Sequence, residues 1–284
     1  MEIGTNTAQT PVVPINQRAE SNHEAYKKRR ESHEQRVVET YEHTARQDFN
    51  PTDQTQYLNI GYWKDGAQSL DEAARALANL VATSGQFNQH DCILDVGCGY
   101  GDEDIFWMEH FQPQRIVGID INPTEVKGAA KQAAERNLDE RIDFQVASAV
   151  DLPFEDASFD KVASIEASHH FMTREDFFHE AYRVLKPGGR LVTTDAVPLP
   201  GRKAHFINPV NAYTAEVYAN KLKNAGFTNV QVNSIGAHVF KPYSNFLLSR
   251  LGKFNLLGFI NVMMHRFFSS RLDYILVTAD KGEA

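Results

Sequence analysis

The chain has 284 residues, 42% of them apolar, enough for one sizeable core or at most two small ones. Its 29 Lys and Arg stand against 37 Asp and Glu, and the net charge of -8 works against attraction to a nucleic-acid backbone or an anionic membrane surface, so a small-molecule partner is expected and a nucleic-acid partner is not. Cys92 and Cys98 are the only thiols, which excludes a disulfide framework and a four-thiolate zinc site and fits a reducing cytoplasm, with no metal expected.

Up to about residue 20 the chain is polar and unpatterned, without the basic region and apolar stretch of a secretory signal. "HEAYKKRRESHEQRVVETYEHTARQ" then reads as a charged helix with few apolar anchors, and the run Lys27 to Arg30, beside Glu31, Glu34 and Glu39, as a solvated face of it. Residues 1–50 are therefore expected to form a polar, helical N-terminal extension, and residues 51–284 the folded domain. "SLDEAARALANLVATS" opens on a capping box of Ser69 and Glu72 and carries Leu70, Ala73, Leu77, Leu80 and Val81 on one face. Next come a strand "CILDVG", a helix "DEDIFWMEHF", a strand "RIVGIDI" and a helix "NPTEVKGAAKQAAERNL", with Asn122 as N-cap, Pro123 at N1 and Glu125 at N3. Strands "IDFQVAS" and "DKVASIEA", the helix "REDFFHEAYRVL", the turn "KPGG" and the strand "RLVTTDAV" follow. Short apolar strands separated by helices indicate a parallel sheet covered on both faces. The chain closes with "TAEVYANKLKNAGF", "NVQVNS", an interruption from about Gly236 to Arg271, and the strand "LDYILVTAD". The most apolar stretch, Phe254 to Phe268, is shorter than the roughly 20 residues a bilayer span needs and contains Asn255, Asn261 and His265.

Ligands of such sheets bind beyond the carboxyl ends of the strands, where the loop "DVGCGYG" falls. Its glycines, Gly97, Gly99 and Gly101, are spaced G-x-G-x-G, and Asp102 stands where a dinucleotide fingerprint needs its third glycine, so a pyrophosphate is a poor guest. Glycines in a tight strand-to-helix turn also have purely conformational uses. Two carboxylates add meaning: Asp95 just before the loop, able to meet a cation or a donor, and Asp120 at the end of the next strand, placed to take both hydroxyls of a ribose. A ligand with a ribose and no phosphate is implied.

Through "LDVGCGYG", "GIDIN", "VDLPFEDASFDKV" and "RVLKPGGRL", four ordered motifs over roughly residues 90–195, the sequence resembles the class I S-adenosylmethionine-dependent methyltransferases. "NIGYW" (Asn59 to Trp63), "ASHHF" (Ala167 to Phe171) and a fifth strand ending in Asp195 are similar to small-molecule O-methyltransferases of the natural-product sugar and macrolide type. The resemblance implies an α/β, Rossmann-like, seven-stranded, mostly parallel sheet with an antiparallel last strand, helices on both faces, and a lid insertion around 237–270. It implies S-adenosylmethionine as cofactor, with Gly97, Gly99 and the neighbouring backbone near its methionine part and Asp120 on its ribose. The implied cofactor set is completed by Tyr62, Asp95, Cys98, Ile121, Ser148, Ala149 and Glu166. Ser148 is a departure, because the family often has an acidic residue there for the adenine amine; that contact is expected to pass to the Ala149 backbone and nearby side chains.

Transfer to a hydroxyl needs an in-line nucleophile, exclusion of water and a base beyond the fourth strand. His169 and His170 in "EASHHF" are the candidates, since imidazoles titrate near neutrality, with Asp195 to orient one of them. As neighbours in an extended segment they are expected to point opposite ways, leaving one toward the acceptor. Acceptor recognition is expected from "YLNIGYW" and from the interruption, whose Phe240, Tyr243, Phe246, Leu247, Phe254, Phe259, Met263, Met264 and Phe267 form either a lid or ordinary core; Phe171 joins the substrate set. The function expected is methyl transfer to a hydroxyl of a small or medium-sized, partly apolar metabolite in secondary metabolism. The alternatives are transfer to carbon or nitrogen of an isoprenoid, quinone or amine, and a cofactor-binding homologue that transfers nothing. A homodimer is left open.

Overall fold

In the computed structural model the described residues are 15–45, 55–64, 66–203, 207–251 and 256–283. The first 50 residues contain helix α1 (Ile15–Ala45), and the expected domain boundary at residue 51 lies outside the described residues. Then follow α2 (Leu70–Gly85), β1 (Cys92–Val96), α3 (Asp102–His110), β2 (Arg115–Asp120), α4 (Pro123–Glu135), β3 (Ile142–Val146) and β4 (Phe159–Ile165). The second half carries α5 (Arg174–Val184), β5 (Leu185–Pro198), α6 (Ala215–Asn224), β6 (Thr228–Ser234), α7 (Phe240–Arg250), α8 (Leu256–Ser269) and β7 (Leu272–Asp280). The seven strands lie in the order β3-β2-β1-β4-β5-β7-β6, with β7 antiparallel to both its neighbours and the pairs from β3 through β5 parallel.

Chain direction across the sheet reverses at β1, with β2 and β3 on one side and β4 on the other, and the crevice at that switch point is where such sheets bind ligands. Both faces of β1 are covered, so Ile93 and Leu94 are fully buried. Leu94 and Val96 pack with Phe177, Phe178 and Ala181 of α5 and Tyr218 and Leu222 of α6, while Ile93 packs with Leu77 and Val81 of α2 and Ile105 and Trp107 of α3. Burial on both faces is why the strands read as continuous apolar runs.

Local signals explain the starts of α2 and α4. Asn122 caps α4 by accepting from the Thr124 amide at 3.0 Å and donates through its side-chain amide to Glu125 at 2.9 Å. Ser69 accepts from the Glu72 amide at 3.2 Å, but the Glu72 carboxylate accepts from the Gln68 amide, one residue before the position a reciprocal capping box uses. The turn "KPGG" lies within β5: Leu185 pairs with Phe159 and Arg190 with Lys161, so the intervening residues bulge without ending the strand.

Helix α1 is held across the domain by polar contacts, in keeping with its few apolar anchors. Arg30 pairs with Asp151 at 2.7 Å, the Tyr26 hydroxyl donates to Asp176 at 2.5 Å, and His33 Nε2 donates to the His170 carbonyl at 2.7 Å. Arg30, expected on a solvated face, is only 13% exposed; a partner more than a hundred residues away decides its position. Between β6 and β7, α7 and α8 form the expected insertion, clipped together by Ser244 and His265 (2.9 Å) and by Arg266, which donates to Asn245. Among the described residues no helix is long and apolar enough to cross a membrane.

Candidate active site

The glycine loop turns sharply off β1, with φ of 85° at Gly97, 53° at Gly99 and 76° at Gly101. A side chain at Gly97 would collide with the Ala167 methyl, and one at Gly101 with the Phe144 ring, so this spacing answers to backbone conformation and close packing together. The amides of Gly97 and Cys98 donate to the Ile119 carbonyl at 2.8 and 3.0 Å, tying the loop to the end of β2. There Asp120 accepts from the Gly99 amide at 3.1 Å and from the Asn122 amide at 2.9 Å, so its carboxylate is fixed before any ligand arrives.

A cleft with about 690 Å³ of space, part of it open to solvent, lies over these residues. Its wall contains Gly97, Asp120, Ile121, Ser148, Ala149, Glu166, His170 and Phe171, all named from the sequence. The described wall holds four acidic residues, Glu34, Asp120, Glu125 and Glu166, and neither Lys nor Arg. Burial, then the Asp120 charge, raises the Glu125 carboxyl to about 8. Such a wall, with no basic side chain, disfavours phosphate.

Four residues of the expected cofactor set, Tyr62, Asp95, Cys98 and Gly99, are not on this wall. Asp95 alternates with Leu94 and Val96 and shares the α3 side of β1 with Ile93, where it is buried against Asp104 and Glu103. Burial raises the Asp95 carboxyl and, with the Asp95 charge, Glu103 to about 8. The Cys98 thiol is likewise buried, toward Gly118. Tyr62 packs edge-on against His238, ring centroids 5.6 Å apart. Gly99 contributes through its amide on Asp120. Leu58 of the expected "YLNIGYW" segment is on the wall, and it is joined by Glu34, Val37, Val38 and Tyr41 of α1, which were unforeseen from the sequence. Their only sequence signal is the spacing i, i+3, i+4, i+7 from Glu34, masked by the charges around it.

A second cavity, with about 1070 Å³ of open space, lies beside the first and is lined by His169, Ile60, Ala196, Phe240, His265, Phe268, Leu272 and Tyr274. Glu166 belongs to both walls. Its backbone is held in the left-handed region, φ 52°, and its carboxylate accepts from the Ile60 amide at 3.0 Å and the Tyr274 hydroxyl at 2.5 Å. Strain of this kind in a non-glycine residue is tolerated where surrounding bonds over-determine it.

His169 and His170 are not in an extended segment: Ser168–His170 form a 3-10 turn, and the two rings lie 4.0 Å apart. They nonetheless serve different cavities, because the turn swings His169 toward the second and His170 toward the first. His169 Nδ1 lies 3.1 Å from Asp195 Oδ1. Asp195 is fully buried and also meets Arg174 Nε at 2.7 Å, the Ala196 amide at 2.8 Å and the Ser168 hydroxyl. Burial alone would raise its carboxyl, but the fully buried Arg174 guanidinium and His169 hold it below the ordinary carboxylate range. Arg174, unforeseen from the sequence, also donates to the Asn211 and Ala196 carbonyls, the latter at 2.8 Å. His170 Nε2 lies 3.0 Å from the Tyr41 hydroxyl; burial first, then His169, keeps His170 well below the usual imidazole range and hence neutral.

Of the expected acceptor residues in the insertion, Phe240 lines the second cavity. Tyr243 is buried edge-on against His265 at 5.4 Å, Phe246 packs on Trp63 at 5.0 Å, and the half-buried Met263 is on neither wall; helical periodicity gives a stripe but not what it faces. Phe259, Met264 and Phe267 are about half exposed, and Phe254 lies outside the described residues.

Residues 94–193 match a methyltransferase domain family. The chain is 38% identical over 221 residues to an erythromycin 3''-O-methyltransferase of Saccharopolyspora erythraea, an alignment covering 72% of each protein. It is 37% identical to a 27-O-demethylrifamycin SV methyltransferase of Amycolatopsis mediterranei, over 50% of this chain and 52% of that one. Among solved structures it is similar to the [4+2]-cyclase SpnF, with a TM-score of 0.69 and 26% identity over 83% of this chain and 90% of the other. A geranyl diphosphate methyltransferase in complex with S-adenosylmethionine shares the fold at a TM-score of 0.66 and 18% identity, over 79% of this chain and 98% of that one.

Proposed function

This chain belongs to the S-adenosylmethionine-dependent methyltransferases, and we propose that it methylates a hydroxyl of a partly apolar natural product, of the glycosylated or macrolide kind, with His169 as the base. The observation that carries this reading is the junction of two cavities: an acidic one without Lys or Arg meets a largely apolar one, and a histidine paired with a buried aspartate stands in the second.

When bound, the cofactor would supply an activated sulfonium methyl group. Asp120, its carboxylate already held by two backbone amides, would take the ribose hydroxyls, and Glu166, which lines both cavities, would face the sulfur. His169 presents Nε2 to the acceptor hydroxyl, because Nδ1 is committed to Asp195. As His169 takes the proton, Asp195 stabilises the imidazolium in place. Arg174 keeps Asp195 ionised and also offsets much of its charge, so Asp195 acts mainly by orientation. α1 over the first cavity, and Phe240 and Phe268 at the second, would shield the reacting groups from water. Helix α1 on this reading is a wall of the catalytic unit, which supports treating residues 1–50 as more than an appendage. The unpaired Cys92 and Cys98 support a reducing compartment such as the cytoplasm, and the net charge of -8 argues against a nucleic-acid partner.

The test is incubation with methyl-labelled cofactor and a panel of glycosylated macrolides, phenols, prenyl diphosphates and amines. Label on oxygen with stoichiometric S-adenosylhomocysteine is expected; label confined to carbon or nitrogen overturns the reading. The likeness to a cyclase favours one second reading, cofactor binding without transfer, which predicts acceptor conversion with no S-adenosylhomocysteine released. Asp120→Ala should weaken S-adenosylhomocysteine binding by roughly 2 to 4 kcal/mol, as expected for two lost charge-assisted hydrogen bonds; undiminished affinity by calorimetry in the folded variant removes Asp120 from the cofactor site.

A further inference from the structure

Resting on the cofactor reading above, we infer that Glu34, delivered by α1, is the residue that recognises the exocyclic amine of the adenine, so that the N-terminal helix sets the purine specificity of a site otherwise built by the sheet. The strand order β3-β2-β1-β4 sets the wall residues of the first cavity in sequence from Glu166 after β4 and the glycine loop after β1, past Asp120 at the end of β2, to Ser148, Ala149 and Val150 after β3. Methyl transfer requires the sulfur near Glu166, where the two cavities adjoin. With the ribose on Asp120, the base must therefore lie at the β3 end, between the apolar side chains of Ile121 and Ala149 and those of Val37 and Val38 on α1.

The polar edge at that end is not supplied by the β3 loop, whose residue there is Ser148. The Ser148 hydroxyl is itself positioned by accepting from the Val150 amide at 3.3 Å, and it donates to Glu34 Oε1 at 2.5 Å. That bond holds the glutamate on the cavity wall with acceptor capacity to spare, since a carboxylate offers about four lone-pair sites. One turn earlier on the same helix face Arg30 grips Asp151, three residues beyond Ser148, so two rungs fix the height of α1 over the loop. A 6-amino purine donates to such a carboxylate, whereas a 6-oxo purine turns an acceptor oxygen toward it and is repelled.

Calorimetry of S-adenosylhomocysteine and S-inosylhomocysteine, its 6-oxo analogue, tests this without turnover. The wild type should prefer the adenine compound by about 10- to 100-fold, the scale of a hydrogen bond to a charged group. Glu34→Ala should lose most of that preference by weakening the adenine compound, with the affinity for the 6-oxo compound falling less than about threefold or rising. Glu34→Gln, which keeps an acceptor oxygen, should recover part of the preference. An equal loss for both compounds would show that Glu34 merely anchors the helix, and an unchanged preference would remove it from recognition; either result overturns the inference. A wild type that bound neither compound would overturn the cofactor reading with it.

Discussion

Replacing His169 with alanine separates the two histidines, which sequence alone treats alike. His169 faces the second cavity with Nδ1 on Asp195, whereas His170 is buried against α1 with Nε2 on the Tyr41 hydroxyl. Loss of a positioned base costs about 10²- to 10⁴-fold in rate, or about 2.7 to 5.4 kcal/mol of transition-state stabilisation. His169→Ala should fall in that range in kcat, because among the described residues no other imidazole pairs with Asp195 to take the proton. His170→Ala loses one neutral hydrogen bond and an edge contact with Tyr41, so its kcat should drop no more than about tenfold, the scale of one such bond. Asp195→Asn retains an acceptor for Nδ1 and should fall between the two. The assay is the initial rate of label transfer at saturating cofactor and acceptor, with S-adenosylhomocysteine affinity measured in parallel and expected to stay near wild type for His169→Ala. A His169→Ala rate within about threefold of wild type, far below the cost of a lost base, or equal losses in both histidine variants, would refute the assignment.

Phe240→Ala should raise the acceptor KM with little change in cofactor affinity, while Phe246→Ala, which removes a contact with Trp63 away from both cavities, should leave the acceptor KM near wild type; the reverse order would place the acceptor elsewhere. Arg174→Met should cost about 3 to 5 kcal/mol in urea unfolding, since it strands the fully buried Asp195 carboxylate; a loss below about 1 kcal/mol would mean that the pair is not the buried charge compensation described. Glu103, raised by burial and by Asp95 to about 8, holds a proton in the folded protein that the unfolded chain has released above about pH 4. Folded protein then binds more protons, and stability falls as pH rises from about 4 toward 8. Glu103→Gln keeps the acceptor for Asn59, 2.8 Å away, and should gain on wild type in Tm between pH 5 and 8, by roughly 2 to 4 °C per kcal/mol recovered. Melting curves with the same difference at both pH values would contradict the raised carboxyl.

Local chemistry determined a good deal on its own. Asn122, Pro123 and Glu125 specify the start of α4 through bonds within four residues, and the apolar runs of β1 and β2 demand a sheet buried on both faces. Gly97, Gly99 and Asp120 could be read because a turn off β1 and the end of β2 put them beside one another whatever the rest of the chain does. What tertiary structure alone decided is direction and distant partnership. Asp95 differs from Asp120 in pointing under α3, a matter of strand parity against a helix whose packing the motif does not encode. His169 and His170 were divided by a 3-10 turn where an extended segment was expected, and Arg174 reached Asp195 from the start of another helix. Helix α1 shows the limit most plainly: Arg30 and Glu34 read as solvated charges because their partners, Asp151 and Ser148, are more than a hundred residues away, and only the folded sheet brings them together.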